Sequence, residues 1–221
     1  WVDEGKAIPG STPKDNPITP AKVELGKQLF HDPRISKDGS VSCASCHNVM
    51  ASGGDNRAFS VGVDGQLGGR SSPTVFNAAF HSVQFWDGRA ATLEEQAKGP
   101  MTNPVEMAMP NHDEVVARLK KIPGYVVQFE KIFGKNGLNI DNVAKAIATY
   151  ERTLITPSRF DKFLRGDKKA LNAAEKRGYA LVQSVGCITC HSGVNMNGPT
   201  EPFGTYEYRK FTTLTDNEYI A

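Results

Sequence analysis

One pentapeptide pattern occurs twice, Cys43-Ala44-Ser45-Cys46-His47 and Cys187-Ile188-Thr189-Cys190-His191, and the two copies use all four cysteines of the chain. Two thiols one helical turn apart, with an imidazole directly after the second, form the c-type haem attachment pattern. The thiols make thioethers to the haem vinyls and the histidine ligates the iron. Two covalent haems are the first reading, and any fold the chain adopts has to hold both. A CxxC pair also serves zinc or dithiol chemistry, neither of which needs the adjacent histidine, so a zinc site built from all four cysteines stays open as the alternative.

With 221 residues the chain fits one large domain or two small ones, and motifs placed so far apart favour two. A net charge of +2 gives no sign of a nucleic-acid partner or a membrane surface. No stretch reaches the apolar length of a membrane span or a signal segment. The chain opens on Trp1 and reads as a processed or trimmed product. Covalent c haem is assembled outside the bacterial cytoplasm, so the motifs imply a periplasmic protein.

Residues 1–19, rich in proline, glycine and charge, read as an extended arm. Thr19-Pro20 supplies an N-cap and a first-turn proline for a helix whose apolar face carries Val23, Leu25, Leu29 and Phe30 and which ends at His31-Asp32-Pro33. His31 reads as a boundary residue favoured by the helix dipole. The Gly-rich run 51–72 reads as a long ordered loop beside the first motif, forming the distal wall of its haem. Thr92 with Glu95 forms a capping box for a short helix that carries Gln96 and stops at Gly99-Pro100. Two short amphipathic helices over 113–121 and 124–133 follow. Asp141 caps a longer helix striped by Val143, Ile147, Tyr150 and Leu154, and residues 156–167 read as the connection between the two units. Asn172 with Glu175 opens a last helix leading into Cys187. No alternating run is long enough for a sheet. The fold class is therefore all-α, two cytochrome c-type haem domains with long ordered loops: a first over 20–158, and a second over 159–221 that is short for a complete haem domain.

Several segments go beyond what periodicity explains: Asp32-Pro33-Arg34-Ile35-Ser36, Ser72-Pro73-Thr74-Val75-Phe76-Asn77, Gln84-Phe85-Trp86-Asp87-Gly88-Arg89-Ala90, Glu95-Gln96-Ala97, Val105-Glu106-Met107 and Leu154-Ile155-Thr156-Pro157. With the two haem motifs they resemble the bacterial di-haem cytochrome c peroxidases over most of residues 20–204. The resemblance implies an enzyme that reduces hydrogen peroxide to water with electrons from a small cytochrome c or a copper protein. It makes His47 the proximal ligand of a low-potential peroxidatic haem held by Cys43 and Cys46. His191 becomes the ligand of a high-potential electron-transfer haem held by Cys187 and Cys190. Trp86 is then the relay between them, Glu106 the acid/base at the peroxide and Gln96 the amide that orients it. Taken alone, Trp86 would read as a core aromatic and Glu106 as a surface acid. Their places in the matched segments give them these roles.

Two departures from the family pattern matter. Val63 stands where many members have a distal histidine, and valine cannot bind iron, so the first haem is expected to be open in the resting state. His81 is near enough in sequence to substitute, but a packing or hydrogen-bonding role is favoured. The family's methionine ligand to the second haem comes from a segment that has no counterpart here, and Met196, five residues after His191, is too near to reach the opposite face. An incomplete chain is the expectation. Ser71 stands where the family's calcium site has asparagine, which counts against a calcium ion that the resemblance otherwise allows, as it allows a homodimer. Two other readings remain. One is a di-haem electron-transfer protein without peroxide chemistry, against which Glu106 and Gln96 argue. The other is a maturase-type di-haem oxidase acting on a partner protein, a relative that also lacks the distal histidine.

Overall fold

The fold is built around a helix with almost no solvent face. In the computed structural model, which describes residues 12–189, 191–193 and 195–196, helix α6 (Ile140–Glu151) buries Val143, Ala144 and every residue from Ala146 to Glu151. A helix apolar nearly all round has to lie inside the protein. Its partners are α1 (Pro20–His31) and α3 (Leu93–Thr102). The α1 contact is close because residue 26 is glycine: a Cβ there would run into the Ala146 carbonyl and lie 2.9 Å from Tyr150 Cβ. Leu25, Leu29 and Phe30 then reach Val143, Ile147 and Tyr150 in one core, with Phe30 edge-on to Tyr150 at 5.3 Å.

Around this pair stand α2 (Cys43–Cys46), α4 (His112–Lys120), α5 (Pro123–Phe133), α7 (Arg159–Leu164) and α8 (Ala173–Ser184). Among the described residues, strand-like pairing is confined to two isolated bridges, Val61 with Leu67 and Gln84 with Ala90. The all-α class holds.

Local signals set most helix starts. Thr19 Oγ1 accepts from the Lys22 N–H, and Pro20 opens α1. His31 closes it, its Nδ1 2.9 Å from the Lys27 carbonyl, as a boundary residue would. Asn172 and Glu175 form the capping box of α8.

Four local expectations need correction. The cap of α6 is Asn139, whose side chain accepts from the Asn142 N–H; Asp141 lies inside the first turn. Helix α3 runs through Pro100 to Thr102, since a proline in the last turn removes only one ladder bond. Glu95 reaches the Ala91 N–H at 2.8 Å instead of the cap residue's own, so Thr92 caps α3 without closing the box. The 156–167 connection contains α7, started by a capping box between Ser158 and Asp161.

The arm before α1 is pinned by Asn16, which is fully buried. It donates to Glu94 Oε1 at 2.7 Å and to the Lys145 carbonyl at 3.0 Å, and it accepts from Lys22 Nζ at 2.9 Å.

Candidate haem site

Helix α2 is one turn long, and its own residues stop it there. Ser42 and Ser45 form a capping box, and the C-cap His47 returns its N–H to the Cys43 carbonyl at 2.9 Å. Positions three apart share a helix face, so Cys43 and Cys46 open onto one cavity with His47. That cavity measures about 830 Å³, within the range that encloses a whole cofactor.

His47 is set for ligation. Its Nδ1 lies 3.0 Å from the Pro73 carbonyl and 3.3 Å from the Gly53 carbonyl. Carbonyls only accept, so Nδ1 carries the hydrogen and Nε2 keeps its lone pair for a metal. Burial holds the imidazole below its ordinary pKa, in the neutral form that a metal requires. The Gly53 carbonyl is held in turn by the Val75 N–H at 3.0 Å, and Ser72 Oγ ties the neighbouring segment to the motif by donating to the Cys46 carbonyl at 2.6 Å. Gly53 sits at φ +75°, where a Cβ would lie 2.5 Å from Thr74 Oγ1. The thiols, the neutral imidazole and the cavity volume together fit a covalent haem.

Glu106 and Gln96 line the same cavity. Glu106 is half-buried and accepts from Asn103 Nδ2 at 2.8 Å. Burial raises its pKa, and the nearby Arg89 charge and the Asn103 bond offset only part of this. Trp86 is another lining residue, yet it is 52% exposed, with Nε1 donating to the Ser71 carbonyl at 2.9 Å. It lies in a tight bend in which Phe85 and Gly88 both have φ +66° and the Gln84 N–H bonds the Ala90 carbonyl at 2.8 Å.

Val63 is fully buried in the main hydrophobic core and does not line the cavity. Its N–H donates to the Glu106 carbonyl at 2.9 Å. A Cβ on the preceding Gly62 would strike the backbone carbonyls of Val105 and Glu106. The loop is thus clamped against the Glu106 backbone, its apolar side chain turned into the core. His81 is half-buried and also stands outside the lining.

The second motif is differently placed. Cys187 and His191 are exposed, and Cys190 lies outside the described residues. His191 Nδ1 lies 3.2 Å from the Met196 carbonyl, which keeps that backbone on the histidine's own side, as the short spacing requires.

Two groups that sequence reasoning did not single out also line the first cavity. Arg70 and Arg89 both pair with Asp87, at 3.1 and 2.8 Å. Glu151, at the end of α6, belongs to the same wall. Asp87 and Arg89 fall inside a segment that carried the family resemblance. Nothing in the local pattern marks Glu151 as buried.

An all-α chain whose cysteine pair and neutral histidine share a large cavity with a half-buried carboxyl is, by class, a c-type haem protein. The chain belongs to the di-haem cytochrome c peroxidase family, whose profile matches residues 20–169. It is 47% identical over 205 residues to the cytochrome c peroxidase Ccp of Escherichia coli, covering 92% of this chain and 44% of that protein. It is 50% identical over 195 residues to the cytochrome c551 peroxidase of Pseudomonas aeruginosa, covering 86% of this chain and 56% of that one. The crystal structure of a MauG-like protein associated with microbial copper homeostasis superposes with a TM-score of 0.77 at 32% identity, over 89% of this chain and 59% of that chain. The chain thus spans about half the length of the curated relatives it matches. The family's cofactors are two c-type haems. Among the described residues, no helix is long and apolar enough to cross a membrane.

Proposed function

We propose that this chain forms the haem-binding part of a periplasmic di-haem peroxidase that reduces hydrogen peroxide to two waters with two electrons and two protons. The observation that carries this reading is the sharing of one cavity by Cys43, Cys46, His47, Glu106 and Gln96, with Val63 turned out of it. Cys43 and Cys46 would hold the first haem, and His47 Nε2 would ligate its iron. When bound, the haem supplies the electrons that break the peroxide bond. Glu106 would take a proton from bound peroxide and return it to the oxygen that leaves as water, and its raised pKa suits it to both tasks. Gln96 orients peroxide through its amide. Trp86, with one edge at the cavity and one outside, relays electrons from the second haem, held by Cys187, Cys190 and His191. A small cytochrome c or copper protein supplies them in a brief encounter of the kind redox partners make. Residues 20–158 make the peroxidatic unit, and residues 159–221 belong to the electron-transfer unit.

Low-temperature EPR of the fully oxidised, haem-loaded protein, with turnover assayed before any reductant is added, tests this. A high-spin ferric signal from the first haem with immediate turnover is expected. Two low-spin haems without turnover would mean that another residue closes the site.

The resemblance to a MauG-like structure favours one second reading, a maturase-type oxidase acting on a partner protein. Steady-state turnover with peroxide and a reduced monohaem cytochrome is expected for the peroxidase and absent for the maturase.

A further inference from the structure

The last residue of α6 brings a second carboxyl to the cavity. Glu151 is 5% exposed, lines the cavity, and has no hydrogen-bond partner at Oε2. The cation beside it is committed elsewhere: Arg152 grips Glu94 with both terminal guanidinium nitrogens, at 2.7 and 2.9 Å, and Glu94 also accepts from Asn16. An ionised carboxylate buried without a donor is costly, and such a group takes up a proton instead. Burial pushes Glu151 up to about 8, with Arg152 opposing and the Glu94 charge adding to the rise. Cys43 of α2 and Tyr150 of α6 also feel its charge. Once Cys43 is a thioether it has no proton to exchange. The other acids of the cavity wall are Glu106 and Asp87, the latter paired with both Arg70 and Arg89.

We propose that Glu151 is the redox-linked proton site of the first haem, holding a proton while the iron is reduced and releasing it to solvent when the iron is oxidised. This rests on the assignment of that haem to Cys43, Cys46 and His47. The physical cause is Coulombic. Removing an electron adds one positive charge to the cavity, where the low dielectric leaves it poorly screened, and an ionised Glu151 becomes the favoured neighbour. The electron is exchanged with the second haem or, in the test, with an electrode mediator. The carboxyl O–H is the only bond made or broken.

The test is potentiometric titration of the haem-loaded protein across neutral and alkaline pH. The first haem is identified by the optical change lost in C43A/C46A. Its midpoint potential is expected to fall as pH rises, by up to about 59 mV per pH unit for one proton per electron. In Glu151→Gln the slope should flatten. The variant should match the wild type at low pH and lie above it at high pH, where only the wild type carries the negative charge. Glu106→Gln should keep the slope. A slope retained in Glu151→Gln, or a shift equal at every pH, would overturn the proposal. Reduced-minus-oxidised infrared difference spectra of the wild type give a check independent of folding. A protonated-carboxyl band in the reduced state is expected, and its absence would also overturn the proposal. Failure of haem to attach at Cys43 and Cys46 would sink the functional reading itself, and haem content read beforehand keeps the two failures apart.

Discussion

The two haem motifs have the same five-residue logic and opposite surroundings. Around Cys43, Cys46 and His47, walls arrive from the 51–72 loop, the Ser72–Val75 segment, the Trp86 bend, α3 and α6. Around Cys187 and His191, α8 has no buried residue, and Leu181 and Val185 are exposed. Even the carbonyl that orients each histidine follows this contrast. For His47 it comes from Pro73, 26 residues away, and for His191 from Met196, five residues on. The motif encodes attachment, whereas the pocket is a tertiary product that distant segments have to build.

If the chemistry belongs to the walled site, its largest single loss should come from a wall residue. Glu106→Gln is expected to lower kcat for peroxide about 10²- to 10⁴-fold, the usual worth of a positioned acid/base. Reduction of the second haem by the donor, followed by stopped flow, should be unchanged. Equal loss in both would dissolve the contrast between the sites.

Packing offers a second comparison, using one glycine inside a helix of each region. Gly26→Ala in α1 forces a methyl into the Ala146 backbone and is expected to cost about 1–3 kcal/mol. Gly178→Ala in α8 meets nothing within 4 Å and is expected to stabilise by about 0.5–1 kcal/mol through helix propensity. Urea unfolding of the two variants should give opposite signs.

The last effect is pH-dependent. With the first haem kept reduced, Glu151 is protonated in the fold up to about 8, but in the unfolded chain it ionises above its ordinary 4.5. Between these values unfolding releases a proton, so stability should fall with rising pH by up to about 1.4 kcal/mol per unit from this group. Comparing urea midpoints of the wild type and Glu151→Gln between pH 5 and 8 should show that slope absent from the variant.

Parts of this contrast were legible in the chain and parts were not. Thr19-Pro20 and Asn172 with Glu175 announced their helices because a cap is a matter of adjacent residues. Asp141 was mistaken for the cap held by Asn139, since both residue types suit the position and only the backbone decides between them. Pro100 read as a stop and proved to be part of a last turn. Glu106 and Gln96 stood out through family resemblance, and the structure adds that both face the cavity of the first motif. Glu151 was silent, because a glutamate followed by arginine near a helix end looks like a solvated pair, and nothing local reveals that the arginine turns to Glu94.

The sequence by itself determined where the two haem-attachment motifs lie, which class of fold carries them and where most helices begin, because each of these is written within a few neighbouring residues. The tertiary structure alone decided which carboxyls share the low-dielectric cavity of the first motif and which histidine nitrogen is free to bind metal. Burial and hydrogen-bond partners come from segments tens of residues apart, and those partners set the charge state of a group.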